Sequence, residues 1–179
     1  MQQVTPIHTT MYDQLRTEIY RTDREMGQAV ALRTREIIGQ AIAERGVANI
    51  TLSIGKSHQA YLETLREMSG IDWARVNVFI VDISIGTPPG YLDVAAYLRK
   101  HLIEAIKPGA FYPIASLPVG SQEVERVCWE YAQLLRSHPS DLVVAGWGFS
   151  GHMALNDPPY TTFDDPAWVK AVRRAHLSR

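Results

Sequence analysis

One glycine-rich stretch of this chain combines a hydroxyl, an imidazole and a carboxylate: VVAGWGFSGHMALNDPP, residues 143–159. Ser150 and His152 lie among three glycines, and Asp157 follows in an Asn-Asp-Pro-Pro turn. Glycine loses more conformational freedom on folding than any other residue, so such a loop is costly to order. The stretch is therefore either an awkward connection between two elements or a site.

Two familiar kinds of site do not fit the spacing of these residues. Gly148-Phe149-Ser150 begins like the nucleophile elbow of serine hydrolases, G-x-S-x-G, but His152 stands where the second glycine belongs. His152 and Asp157 are not spaced like a known set of metal ligands, and no cysteine supports them. The remaining alternatives are a core histidine in a glycine-rich turn and a ligand-binding loop.

A second candidate is the segment SIGKSHQ, residues 53–59, between a predicted strand and a predicted helix. Backbone N–H groups at a helix start attract anions, and Lys56 adds a positive charge. A nucleotide-binding P-loop, G-x-x-x-x-G-K-[ST], would need a glycine where Ile50 stands. The segment is thus either a phosphate-binding turn or a tight turn in which Ser57 caps the helix.

The third candidate is Asp82, which ends the apolar run VFIVD. A carboxylate at the mouth of a sheet is partly desolvated, which raises its pKa and suits it to proton transfer. The alternative role for Asp82 is a helix cap or a hydrogen bond within a loop.

Hydrophobic periodicity predicts the elements that position these residues. Helices are predicted at residues 24–44, 58–68, 91–106 and 122–137, and strands at 49–54, 75–83, 110–116 and 141–148. Alternating strands and helices predict an α/β fold, a doubly wound and mainly parallel sheet with helices on both faces. Ligands bind beyond the carboxyl ends of such strands, where all three candidate segments fall. We expect an N-terminal arm at 1–22 and one domain at 23–179.

The composition of the chain limits the classes of partner that it is expected to bind. The chain has 179 residues, of which 46% are hydrophobic and 21% charged, with a formal net charge of −1. No broad basic field is present to recruit nucleic acid or a membrane. Cys128 is the only cysteine, which excludes an internal disulfide, and no apolar run is long enough to span a bilayer. We expect a cytoplasmic protein.

In their order along the chain, these segments resemble the glucosamine-6-phosphate deaminase/isomerase and 6-phosphogluconolactonase family, from about residue 24 onward. GWGFSGHMALNDPP resembles the family's signature G-x-G-x-D-G-H-I-A-F-N-E-P. LSIGKSHQAYLETL is similar to its phosphate loop, Leu-x-x-Gly-Gly-Thr-Pro, and FIVDISIG stands where the family has Phe-x-x-Asp-Glu. The Ala-Leu-Asn-Asp-Pro half favours the deaminase branch, because the lactonase branch tends to carry Thr-Ala-Ser-Leu-Phe-Pro after the histidine.

The resemblance implies conversion of an amino-sugar phosphate to a keto-sugar phosphate with release of ammonia, without a metal or organic cofactor. It implies that Asp82 moves a proton between adjacent sugar carbons, that His152 assists ring opening, and that Asp157 supports His152. The implied phosphate-binding residues are Gly55, Lys56 and Ser57. The implied substrate loop contains Gly148, Gly151 and Asn156.

The chain departs from the family pattern at several positions. Within the implied catalytic set, Ser150 replaces the aspartate of Asp-Gly-His, so it supplies a hydroxyl but no charge. Ile83 replaces an acid, Lys56 a loop glycine and His58 a loop proline. Two further functions stay open: a 6-phosphogluconolactonase-type hydrolase, and a catalytically degenerate homologue that only binds sugar phosphates.

Family members continue with further strands and helices after the part that this chain resembles. A sheet that lacks them leaves an exposed edge and an uncovered apolar face. We therefore expect the chain either to self-associate as a homo-oligomer or to be poorly stable by itself.

Overall fold

The computed structural model describes residues 4–86, 93–148, 151–156 and 160–172. Its strands are β1 (His8–Tyr12), β2 (Leu15–Ile19), β3 (Ala48–Leu52), β4 (Val76–Ile80), β5 (Ala110–Tyr112) and β6 (Leu142–Val144). Its helices are α1 (Asp23–Arg45), α2 (Gln59–Glu67), α3 (Val94–Leu98), α4 (Glu104–Ile106) and α5 (Val124–Ser137). A π-helical segment, Arg99–Ile103, joins α3 to α4, and 3-10 turns at Lys56–His58 and Trp73–Arg75 precede α2 and β4.

The main sheet has four parallel strands in the order β5-β4-β3-β6. Leu52 of β3 is paired with Ile80 of β4 on one side and with Val144 of β6 on the other. The chain first adds β4 and β5 in one direction and then returns through α5 to place β6 beyond β3. The predicted parallel α/β fold is confirmed, and the strand order reverses next to β3, where such sheets bind their ligands.

Helices cover both faces of this sheet. Val78 and Ile80 of β4 belong to the core formed with α1 and α2, together with Leu98 of α3. Phe79 points to the opposite face, because successive side chains alternate along a strand. There it stacks on Tyr112 with ring centroids 4.9 Å apart, on the face where Tyr131 of α5 packs.

The first helix has the boundaries that its sequence predicts. The Thr22 side chain accepts a hydrogen bond from the Glu25 amide and so caps the start of α1. At the other end Gly46 adopts a left-handed conformation, φ 79°, and its amide bonds to the Ile42 carbonyl. Gly46 follows the predicted helix 24–44 closely and ends it, as a glycine in this position commonly does.

The N-terminal arm is an antiparallel hairpin, which the sequence analysis did not predict. His8 of β1 is paired with Ile19 of β2, and Asp13 takes a positive φ at the tip. Met11, Tyr12 and Leu15 are all more than half exposed. The division into an arm at 1–22 and a domain at 23–179 stays a prediction.

All four strands of the main sheet are shorter at their carboxyl ends than predicted, and β3 ends at Leu52 rather than residue 54. β4 ends at Ile80 rather than residue 83, and β6 ends at Val144 rather than residue 148. β5 ends at Tyr112, directly before Pro113, which has no N–H to donate to a neighbouring strand. Beyond β4 and β6 the backbone leaves the sheet to form the loops that carry the candidate residues. Among the described helices, none is both long and apolar enough to cross a membrane.

Candidate functional site

The turn after β3 lies at the carboxyl edge of the sheet. The Ser53 amide donates to the Val144 carbonyl at 2.9 Å, which holds β6 against β3 just past the last pair of the ladder. A 3-10 turn follows, closed by the His58 amide on the Gly55 carbonyl at 3.0 Å. Gly55, Lys56 and Ser57 are exposed on this turn. A phosphate group from solvent can therefore reach the Lys56 ammonium.

Ser57 does not cap the following helix, so the prediction that it is an N-cap is wrong. His58 occupies the position before α2 and makes no side-chain capping bond there. The Ser57 hydroxyl instead lies 3.4 Å from His58 Nδ1. The intervening 3-10 turn shifts the helix start by one residue, from 58 to Gln59, which leaves the Ser57 hydroxyl exposed on the turn.

The loop after β6 folds back on itself and is held by backbone hydrogen bonds. The Ala154 amide donates to the Gly146 carbonyl at 2.9 Å, and the Gly148 amide donates to the His152 carbonyl at 2.8 Å. Gly151 donates to Gly148 at 3.0 Å and takes φ +82°, a left-handed conformation that glycine adopts without strain. Residues 145–148, predicted as strand, therefore bond within their own loop instead of to β3.

This folding fixes the position of the His152 imidazole. A Cβ atom at Gly148 would lie 1.9 Å from His152 Cε1, so the ring lies against the bare backbone of that glycine. His152 is half-buried in this position. Asn156 closes the next turn, because its amide donates to the Met153 carbonyl at 2.9 Å. Gly148 and Asn156 thus shape the loop that presents the imidazole.

Asp82 lies two residues past the end of β4, next to these two loops in the sheet order. The Val81 amide bonds to the Leu52 carbonyl at 3.1 Å and keeps this segment beside β3. Asp82 is half-buried, as a carboxylate at the mouth of a sheet was expected to be. The segments after β3, β4 and β6 therefore meet at one edge, while Ser150 and Asp157 lie outside the described residues.

His58 is a residue of this edge that the sequence analysis missed. Only 6% of it is exposed, and burial lowers the pKa of its imidazole below the ordinary value. Its ring lies between two glycines: a Cβ at Gly146 would be 3.2 Å from Cε1, and a Cβ at Gly55 would be 3.4 Å from Nδ1. The signal available in the sequence was a histidine placed directly between the anion-binding turn and its helix.

The described residues contain no group of three His, Cys, Asp or Glu side chains that could hold a metal ion. What this edge offers is an exposed ammonium, a half-buried imidazole and a half-buried carboxylate, from Lys56, His152 and Asp82. Such a set can bind an anionic group and transfer protons near it.

Comparison with known families is consistent with the set formed by Lys56, His152 and Asp82. A family model described as glucosamine-6-phosphate isomerases/6-phosphogluconolactonase matches residues 21–175. The chain belongs to this family. The resemblance deduced from the motifs is therefore confirmed over nearly the whole chain.

Relatives from both branches of the family are similar to the chain. A 6-phosphogluconolactonase of Pseudomonas aeruginosa is 28% identical over 178 residues, covering 90% of this chain and 72% of the relative. A glucosamine-6-phosphate deaminase of Streptococcus sanguinis is 29% identical over 143 residues, covering 77% of this chain and 55% of the relative. The two identities are nearly equal and the lactonase match covers more of both chains, so the comparisons show the family without showing which reaction this chain performs.

Solved structures show the same fold. A 6-phosphogluconolactonase from Plasmodium vivax superposes with a TM-score of 0.73 at 16% identity, covering 84% of this chain and 53% of that one. A monomeric glucosamine-6-phosphate deaminase superposes with a TM-score of 0.65 at 19% identity, covering 80% of this chain and 59% of that one. The chain thus spans little more than half the length of these two structures.

Proposed function

We propose that this chain is a sugar-phosphate isomerase/deaminase, which converts glucosamine 6-phosphate or a related amino-sugar phosphate to a keto-sugar phosphate and ammonia. The observation that carries the proposal is the folded loop after β6. The loop begins at the carboxyl edge of the sheet, where Gly146 lies against His58 next to the turn that bears Lys56, and it carries the His152 imidazole. The family's enzymes act on sugar phosphates. This edge has the Lys56 ammonium for the phosphate end of such a molecule and the His152 imidazole for the sugar end.

The chemistry divides among the three loops. The turn at Gly55, Lys56 and Ser57 binds the phosphate. His152 protonates the ring oxygen as the sugar opens, with Asp157 and Ser150 as its neighbours along the loop. Asp82 then moves a proton from C2 to C1, and water replaces the amine at C2 as ammonia leaves. A half-buried carboxylate suits this step, since it is reached by a bound sugar and partly shielded from water.

Hydrolysis of 6-phosphogluconolactone is the second candidate, favoured by the similarity to the Pseudomonas enzyme over 178 residues. In that reaction His152 would activate water, and Asp82 would have no proton to move between carbons. The Asn156-Asp157-Pro158 run supports the deaminase instead, because it is similar to the deaminase form of the signature. Binding without turnover is the third candidate, favoured by the serine at position 150.

The test compares both reactions on one folded preparation. Ammonia and fructose 6-phosphate are measured with glucosamine 6-phosphate, acid release is measured with 6-phosphogluconolactone, and melting is followed with each sugar phosphate. Ammonia release that His152→Asn and Asp82→Asn both abolish would support the proposal. His8→Asn is the matched control, because His8 is exposed on the hairpin.

Other outcomes select the alternatives. Lactone hydrolysis that survives Asp82→Asn, without ammonia release, would replace the proposal with the lactonase reaction. A rise in melting temperature without turnover would indicate a binding protein, and Ser150→Asp should then create or raise activity by restoring the carboxylate. No shift and no turnover with any sugar phosphate would refute a sugar-phosphate function.

A further inference from the structure

We infer that His58 is a positioning residue, which sets the separation between the phosphate-binding turn and the loop that carries His152. The inference rests on the proposed function, because it concerns how the two halves of that site are held relative to each other. His58 itself is buried and is not placed against the substrate.

The contacts of the His58 ring join the two loops directly. The ring lies against Gly55, in its own turn, and also against Gly146, at the start of the loop after β6. Both glycines leave room for the imidazole: a Cβ at Gly146 would be only 3.2 Å from Cε1, tighter than ordinary van der Waals contact. The ring therefore occupies space next to both loops, and its size limits how closely they can approach each other.

Hydrogen bonds join the bases of these loops deeper in the sheet. The Ser53 amide holds the Val144 carbonyl at 2.9 Å, and β3 and β6 are paired as far as Leu52 and Val144. Among the residues that the structure describes, His58 then lies against Gly146 and continues this association toward the edge. Because Gly146 also accepts the loop-closing hydrogen bond from Ala154, a displacement of Gly146 moves the base of the His152 loop.

Such spacing matters for a substrate held at both ends. The phosphate is bound by the Lys56 turn while the sugar ring must meet the His152 imidazole, so the separation of the loops selects the productive pose. A misplacement of about 1 Å away from the reacting atoms can reduce catalysis by about a hundredfold. A smaller side chain at position 58 would let the loops approach and shift the imidazole relative to the bound phosphate.

A double-mutant cycle between His58 and Gly146 tests this contact. We expect His58→Ala to lower kcat/KM for glucosamine 6-phosphate by about tenfold or more, with kcat falling because the imidazole is misplaced. Gly146→Ala should lower it severalfold by pushing the ring away, but should cost nothing further in the His58→Ala background, where the added methyl has space. Gly39→Ala is the matched glycine control, since a Cβ there meets nothing within 4 Å. His8→Ala is the histidine control.

Melting curves of every variant separate positioning from folding, and His58→Gln, which keeps a planar polar side chain, should recover part of the loss. The inference is overturned if the two single effects multiply in the double variant, or if His58→Ala lowers only the melting temperature and leaves kcat and KM unchanged. If the unmodified chain turns over neither sugar phosphate nor lactone, and neither inorganic phosphate nor a sugar phosphate raises its melting temperature, the proposed function fails and this inference fails with it. If the chain is active and the free-energy effects of His58→Ala and Gly146→Ala are additive, only the positioning role is refuted.

Discussion

The imidazole of His152 occupies the space that a side chain at position 148 would need. A Cβ on Gly148 would lie 1.9 Å from His152 Cε1 and 2.1 Å from Nε2, while the Gly148 amide donates to the His152 carbonyl at 2.8 Å. The hydrogen bond fixes the two backbones relative to each other, so the loop cannot widen easily to admit a larger residue. The observed placement of the His152 imidazole therefore requires glycine at position 148.

Gly148→Ala should therefore abolish activity without unfolding the protein. The added methyl group has to displace the His152 ring, and we expect turnover to fall by about a hundredfold or more, as for loss of a positioned acid–base group. The melting temperature should change little because the loop lies at the edge of the sheet. Gly39→Ala should leave turnover intact, and full activity in Gly148→Ala would contradict the role given to His152.

Gly27→Ala should destabilise the fold at the contact between α1 and α2. A Cβ at Gly27 would lie 2.6 Å from the Ala60 carbonyl carbon and 2.6 Å from the Tyr61 amide nitrogen, both of which are backbone atoms that cannot rotate away. Overpacking of this kind costs about 1–3 kcal/mol. Urea unfolding measures the change. Gly39→Ala in the same helix should instead stabilise by about 0.5–1 kcal/mol, because only its helix propensity changes.

Tyr131→Phe should lower the free energy of unfolding by about 1–3 kcal/mol, because it leaves a buried backbone group without its partner. The Tyr131 hydroxyl accepts the Ile80 N–H at 2.9 Å and donates toward the Ile80 carbonyl at the same distance, just where pairing of β4 with β5 has ended. Burial raises the pKa of Tyr131 to about 12, so the donor is present at all ordinary pH values. Tyr12→Phe on the exposed hairpin is the control, and equal effects of the two substitutions in urea unfolding would contradict this account.

Acid should weaken the fold through His58. Burial lowers the pKa of His58 in the folded state below its unfolded value of 6.5, so the unfolded chain binds the proton more readily. The stability contributed by the neutral imidazole is complete above pH 6.5 and is lost as the pH falls below that value toward the lower folded pKa. Melting temperatures measured downward from pH 7.5 should fall less steeply for His58→Gln than for the unmodified chain. Parallel curves would show that His58 does not contribute to this dependence.

Much of the fold follows from local patterns. Apolar residues at helical spacing and the following Gly46 predict α1 to within one residue at each end. The apolar run of β4 predicts a strand covered on both faces, as observed. These features are predictable because a helix period, a cap and a stop are formed by residues close together in the chain.

The hairpin at the N-terminus was not predicted, because its strands lack such a local pattern. Its strands carry threonines and charged residues on exposed surfaces, so no alternation of buried and exposed positions marks them. The ends of β4 and β6 were misplaced because apolar residues continue past the point where the backbone leaves the sheet. Whether a residue belongs to a strand is decided there by which carbonyl its amide reaches.

The candidate site, too, was determined in part by the sequence and in part only by the tertiary structure. The types and order of Lys56, Asp82 and His152 are fixed by the sequence, and the motifs around them were sufficient to indicate the family. The sequence also determined that these residues follow strands, since apolar runs precede each of them. Only the tertiary structure decided that β6 is added on the far side of β3, which places the third loop beside the first. It also decided that His58 fills the space between Gly55 and Gly146. That contact joins parts of the chain almost ninety residues apart, and its geometry depends on strand order and backbone hydrogen bonds that no local pattern encodes.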